Sequence, residues 1–346
     1  MKAVDTIVLL GPSSALYPLV TDRVPKFELP FVNTTLLNHT INYVHPYSSQ
    51  IFIFCLEQYR NNVHAIIKDY TFPIEVITTV AYEGMGHCLS LLRNRLRLDT
   101  LIVCRGDMYY VDSLGPMLEN FLTSSDFVHA SIYRESRNSG HSSAQRMFID
   151  STDHLVHFSD SEVPFLRGEK MFASAEYAFK NFFICRSDIL RIISENTENL
   201  YSFKKNVIPA LLQRGKEIRI VKNDNFVVSS LRDYSKQLRF KNSFVESKKY
   251  SLCFDNSSVE DSTDLIDSIV GCCCLIRKGC CIKKCIIMDN TVIMDGCILE
   301  NCIIGFGVTI IEGSRLVNCR VGHFCTFDRP VFAENSNLNG RTLDHK

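Results

Sequence analysis

Residues 269–327 read IVGCCCLIRKGCCIKKCIIMDNTVIMDGCILENCIIGFGVTIIEGSRLVNCRVGHFCTF, and their spacing decides the fold of the C-terminal third. Val270, Ile276, Ile282, Ile287, Ile293, Leu299, Ile304, Ile310, Leu316, Val321 and Phe327 follow one another at steps of six, six and five, so the period is 17 residues. Extended backwards, the rule lands on Cys253, Val259 and Leu265, a weaker first coil. Three short strands per coil, each turning one side chain inward, predict a triangular solenoid of parallel strands about 4.8 Å apart.

The second signal is a small residue near each corner. Ser268, Cys285, Cys302 and Cys319 are one period apart, as are Cys280, Cys297 and Ser314, and Cys274, Thr291, Val308 and Cys325. Gly271, Gly305 and Gly322 follow the leading aliphatic residue, a place suited to tight turning. Ten of the fifteen cysteines lie between Cys272 and Cys325, and this ladder accounts for most of them as small buried hydrophobes rather than disulfides or zinc ligands. The pattern resembles the hexapeptide-repeat left-handed β-helix family, which implies the handedness. Many of its members are acyltransferases with a histidine between coils; here His323 is the one histidine in the repeat, which argues against that activity.

Composition narrows the rest. Lysine plus arginine equal aspartate plus glutamate at 38 each, so no net field draws a polyanion and direct nucleic-acid binding is not expected. Apolar runs such as Thr6–Leu10 and Ile51–Leu56 are far shorter than the roughly 20 residues a bilayer demands. The opening MKAVDTIVLL reads as a strand, and a cytosolic protein with no membrane association is expected. Strands at Thr6–Leu10, Ile51–Cys55, Ile74–Thr79 and Thr100–Cys104 alternate with helical stretches near Leu36–Val44, Gln58–Lys68 and His87–Leu96, predicting an α/β domain with a largely parallel sheet. Ligands of such sheets sit beyond the carboxyl ends of the strands. GPSSALYPL at 11–19 and Arg105-Gly106-Asp107 fall there. The expected organisation is a nucleotidyltransferase-like Rossmann-type domain over 1–230, a connection over 231–252, the β-helix over 253–330 and a polar tail over 331–346.

Gly11, Leu16, Pro18, Leu19, Pro25, Lys26, Pro30 and Asp107 resemble the GGxGTRLxPLT loop, PKP segment and GD pair of the sugar-nucleotide pyrophosphorylases. The hairpin-like stretch Arg146–Ser159 and the segment Asn206–Leu212 are similar to later parts of that family, many of whose members also end in a hexapeptide β-helix. The chain departs from the family at the loop: Leu10 and Ser13 stand for glycines, Ala15 for the arginine that contacts phosphate, and Pro12 removes a backbone donor. Two readings of Gly11, Lys26, Gly84 and Asp107 stand. One is a vestigial GTP site with Mg²⁺ held by Asp107; the other is a set of inherited strand-end residues in a pocket without turnover. Cys55, Cys88, Cys104 and Cys185 read as core thiols.

A pyrophosphorylase-shaped chain with a disabled loop resembles the gamma-type subunits of eukaryotic translation initiation factor 2B, with Val227–Tyr234 similar to the helix leading into their β-helix. The resemblance implies no catalytic residue and no cofactor. It also implies an epsilon-type partner, regulatory subunits and engagement of initiation factor 2 in guanine-nucleotide exchange. Phe324, Phe327 and Phe332 are the expected subunit contacts. An active sugar-nucleotide pyrophosphorylase of the mannose-1-phosphate guanylyl type is the alternative.

Overall fold

The computed structural model describes residues 4–12, 16–21, 23–31, 34–92, 94–110, 113–134, 146–159, 172–174, 177–195, 202–222, 252–253 and 256–339. Two compact units emerge, one made of Met1–Pro12 and Leu37–Val227, the other of Ser13–Leu36 and Val228–Lys346. The expected domain 1–230 is therefore interrupted, because the segment after the first strand groups with the β-helix. The connection expected over 231–252 lies outside the described residues except Leu252.

The first unit is a mixed α/β domain. Its seven-stranded sheet runs Ile218–Lys222, Val128–Arg134, Tyr177–Arg186, Thr100–Arg105, Val4–Leu9, Ser48–Leu56, Ile74–Thr79. All neighbours are parallel except Tyr177–Arg186, which is antiparallel to both strands beside it. The continuous apolar run Ile51–Cys55 is buried throughout, as a strand covered on both faces must be. In the helix Leu114–Thr123, the residues Leu114, Met117, Leu118 and Phe121 are buried at helical spacing, the stripe by which it docks on the sheet. The hairpin expected over Arg146–Ser159 forms, with Arg146–Ile149 antiparallel to Leu155–Ser159.

The second unit contains the hexapeptide-repeat β-helix. Among the described residues every strand pair of the β-helix is parallel and in register at 17 residues, from Leu252↔Ile269 to Val321↔Leu338. The coil through Cys253, Val259 and Leu265 is present, although Val259 remains exposed. Strands also continue beyond 330, with Phe332–Glu334 on Arg315–Val317 and Asn337–Leu338 on Arg320–Val321. Ala333 and Leu338 take the inward places of Leu316 and Val321, so part of the expected tail is solenoid.

The corners carry residues in the left-handed region, again every 17 residues. Asp267, Lys284, Asn301, Asn318 and Asn335 form one column; Asn256, Cys273, Asn290, Gly307 and Phe324 a second; Ser262, Gly279, Gly296 and Gly313 a third. Asn301 donates to Asn318 at 2.8 Å and Asn318 to Asn335 at 3.0 Å, so neighbouring corners are stitched together. Gly271 has a different task from the one its position suggested. It does not turn the chain; a Cβ there would lie 2.2 Å from Asp289 Oδ1 and 2.7 Å from the backbone nitrogen of Asp289. The ladder cysteines are buried as expected, and they also hydrogen-bond. Cys274 Sγ donates to Met288 O at 3.2 Å and Cys297 Sγ to Ile311 O at 3.2 Å, the role that Thr291 Oγ1 plays towards Gly305 O at 3.0 Å.

Candidate functional site

In the α/β unit the chain leaves Val4–Leu9 for one side of the sheet and later returns to Thr100–Arg105 on the other, which creates a switch in strand order between these two neighbours. Leu9 pairs with Arg105, and Gly106 N donates to Leu9 O at 3.1 Å. Gly11 and Asp107 thus both lie two residues beyond a paired strand end, where sequence reasoning placed a ligand.

What occupies that position is protein. Arg105 Nε donates to Asp107 Oδ1 at 2.7 Å and Nη2 to Oδ2 at 2.5 Å, a two-pronged pair around a carboxylate that is 2% exposed. Asp107 raises the guanidinium pKa further above its ordinary value. The backbone between them is fixed as well. Thr40 Oγ1 donates to Met108 O at 3.3 Å, Tyr110 Oη donates to Arg105 O at 2.9 Å, and a Cβ on Gly106 would fall 2.4 Å from Leu10 Cδ2. Tyr82 covers Gly11: its ring lies 3.3 Å from where a Cβ would sit. Burial raises the Tyr82 hydroxyl well above its usual pKa.

These residues do not fit a magnesium site. Both oxygens of Asp107 already accept from Arg105, and no group of three or more acidic, histidine or cysteine side chains poised for a metal occurs among the described residues. Gly84 sits at φ 125° ahead of the helix Met85–Leu91, and the Cys88 amide donates to its carbonyl. It is a helix-start glycine, and a helix of seven residues offers little dipole to an anion. Lys26 belongs to the other unit, buried in the short helical turn Lys26–Glu28. Ser13 and Ala15, and Val227–Tyr234, lie outside the described residues.

Of the three expected contact residues, Phe324 and Phe332 are 69% and 72% exposed, whereas Phe327 is buried in the β-helix core. Phe327 continues the inward series, so its own period explains its burial. Burial pushes the thiols of Cys55 to about 11, Cys88 to about 12 and Cys185 to about 12, far from nucleophilic.

A further polar cluster had no signal in the sequence. Asp126 accepts from His129 Nε2 at 2.7 Å, His154 Nε2 at 2.9 Å and Arg219 Nε at 2.7 Å. Burial alone would raise its pKa, but the three donors together hold the carboxylate well below its ordinary value. Burial lowers His129 despite the opposing pull of Asp126. Thr152 and Asp150 in turn bind His154 and the hairpin tip, with Thr152 Oγ1 2.8 Å from His154 Nδ1. The cluster fastens the hairpin to the sheet edge. Its members are 93 positions apart in the extreme case, beyond any local pattern.

A family model described as GlmU-like, C-terminal hexapeptide, matches residues 242–336. No curated protein matches the chain. The described helices include none long and apolar enough to cross a membrane. The match covers the coils, supports their reading as hexapeptide repeats and leaves the α/β unit unmatched.

Proposed function

We propose that this protein, whose coils match a hexapeptide-repeat model, is a non-catalytic, gamma-type subunit of the initiation factor 2B exchange complex. It pairs with an epsilon-type subunit and promotes GDP release from initiation factor 2 through assembly. The observation that carries this reading is the Arg105–Asp107 pair. A nucleotidyltransferase must present an acidic group and open backbone donors to a metal-bound triphosphate. Here the acidic group is neutralised by the chain's own guanidinium, and Tyr82 lies over Gly11. Ala15 at the phosphate-contacting position points the same way. Phe324 and Phe332, large and exposed on the last coils, suit subunit contact.

Affinity purification of the full chain from its native cells, with identification of co-purifying proteins, tests the reading. Subunits of initiation factor 2B are the expected companions, and their absence sinks it. The purified chain should release no pyrophosphate from nucleoside triphosphate and sugar phosphate; turnover above background would establish the pyrophosphorylase alternative. Phe324→Ala with Phe332→Ala should weaken co-purification while leaving the fold intact.

A further inference from the structure

The Leu16–Val20 turn lies where the resemblance puts a phosphate loop, but the structure uses it for something else. Leu19 N and Val20 N both bond to Leu16 O, at 2.8 and 3.2 Å, which closes the turn and leaves the Leu19 carbonyl to face outward. That carbonyl lies 2.5 Å from Nε2 of His323, in the same compact unit. The other ring nitrogen, Nδ1, accepts from Phe306 N at 2.9 Å. A backbone amide can only donate, so Nδ1 carries no proton and Nε2–H donates to Leu19 O. The tautomer is fixed by the fold.

The surroundings keep the ring neutral. Phe306 stacks on it at 4.7 Å and Phe324 lies 6.3 Å away. Burial lowers its pKa, and the Leu19 carbonyl opposes the shift. Tyr17, the titratable group on the turn beside Leu19, is held at its hydroxyl by Asn339 Nδ2 at 3.1 Å. Space for the turn comes from Gly322: a Cβ there would sit 2.7 Å from Asn339 Oδ1 and 3.3 Å from Pro18 O.

We propose that His323 is a positioning residue that latches the Leu16–Val20 turn to the last coils, and that the latch holds only while its imidazole is neutral. A proton on Nδ1 would turn that nitrogen into a second donor facing the Phe306 amide, breaking the bond and pushing the ring from its place. The repeat itself supplies the comparison residue. Asp289 Oδ1 accepts from Cys272 N at 2.8 Å across the same 17-residue step by which His323 accepts from Phe306. A short acceptor therefore satisfies the coil. Reaching Leu19 is the additional property of histidine. The inference does not depend on the exchange-complex reading.

The test is amide hydrogen exchange over residues 16–24 of the full chain, expressed as protection relative to intrinsic rates at pH 7.5 and 5.0. His323→Asn keeps an acceptor for Phe306 and loses the reach to Leu19. Protection of the turn should fall about fivefold or more at pH 7.5, the population change expected from one lost hydrogen bond, while the solenoid amides stay protected. Wild-type protection should drop on acidification, and the variant should show no such step. Tyr17→Phe should lower protection at both pH values and keep the step, which provides a second reading if His323→Asn folds poorly. Unchanged protection in His323→Asn at pH 7.5, or a wild-type profile without the step, overturns the latch.

Discussion

The sheet unit and the β-helix both stack parallel strands, yet they bury polar groups in opposite ways. The sheet unit concentrates charge at a few heavily bonded points, Asp107 with Arg105 and Asp126 with His129, His154 and Arg219. The β-helix spreads neutral thiols and hydroxyls, one small donor at a time, along its coils. The difference teaches where each half can tolerate change. A buried charge that loses its partner is left uncompensated, whereas a buried thiol that is lost removes one modest hydrogen bond.

The largest effect should come from Asp126→Ala, which strands His129 and the donors on His154 and Arg219. We expect a loss of about 3–5 kcal/mol, as for breaking a buried ion pair, measured by urea unfolding. A loss under 1 kcal/mol would erase the contrast between the two halves. Gly271→Ala should rank next, at about 1–3 kcal/mol of overpacking, because its Cβ meets Asp289 with no room to yield. Gly296→Ala meets nothing within 4 Å and bears only the left-handed backbone, φ 64°, at about 1–2 kcal/mol. Equal losses for the two glycines would refute the distinction between close approach and turning. Smallest is Cys297→Ser, which keeps a donor for Ile311 O and should stay within about 1 kcal/mol of wild type.

Acid should act on both halves. His129 and His323 have folded pKa values below the ordinary 6.5, so the unfolded chain takes up protons first. Their contribution is full above pH 6.5 and is lost as pH falls below it. Asp126, also depressed, contributes above its ordinary 3.8 and loses that contribution at lower pH. Unfolding free energy measured from pH 7.5 to 4 should therefore decline below 6.5, and the double variant His129→Gln, His323→Asn should flatten the upper part of that decline.

The repeat was legible because its information is local and periodic: one aliphatic residue per strand suffices to place every inward side chain from Val270 to Phe327. The tail was less legible, since Ala333 is a weak inward residue and Pro330 with Asp328 looks like a terminus. Of the four candidate site residues, Gly11 and Asp107 fall beyond neighbouring strand ends, whereas Gly84 starts a helix and Lys26 groups with the other unit. Arg105 ends its strand and Asp107 already lies in the turn beyond it, so strand alternation carried no sign of their pairing. Tyr82 over Gly11 carried none either.

The amino-acid order by itself determined the 17-residue coil and the alternation of strand and helix, because each depends on residue type at short separation. Tertiary structure alone decided that Arg105 closes on Asp107, that Asp126 gathers donors from three distant segments, and that Leu19 meets His323 some 300 positions away. Those outcomes depend on which strand ends and corners become neighbours, and that is a property of the assembled chain.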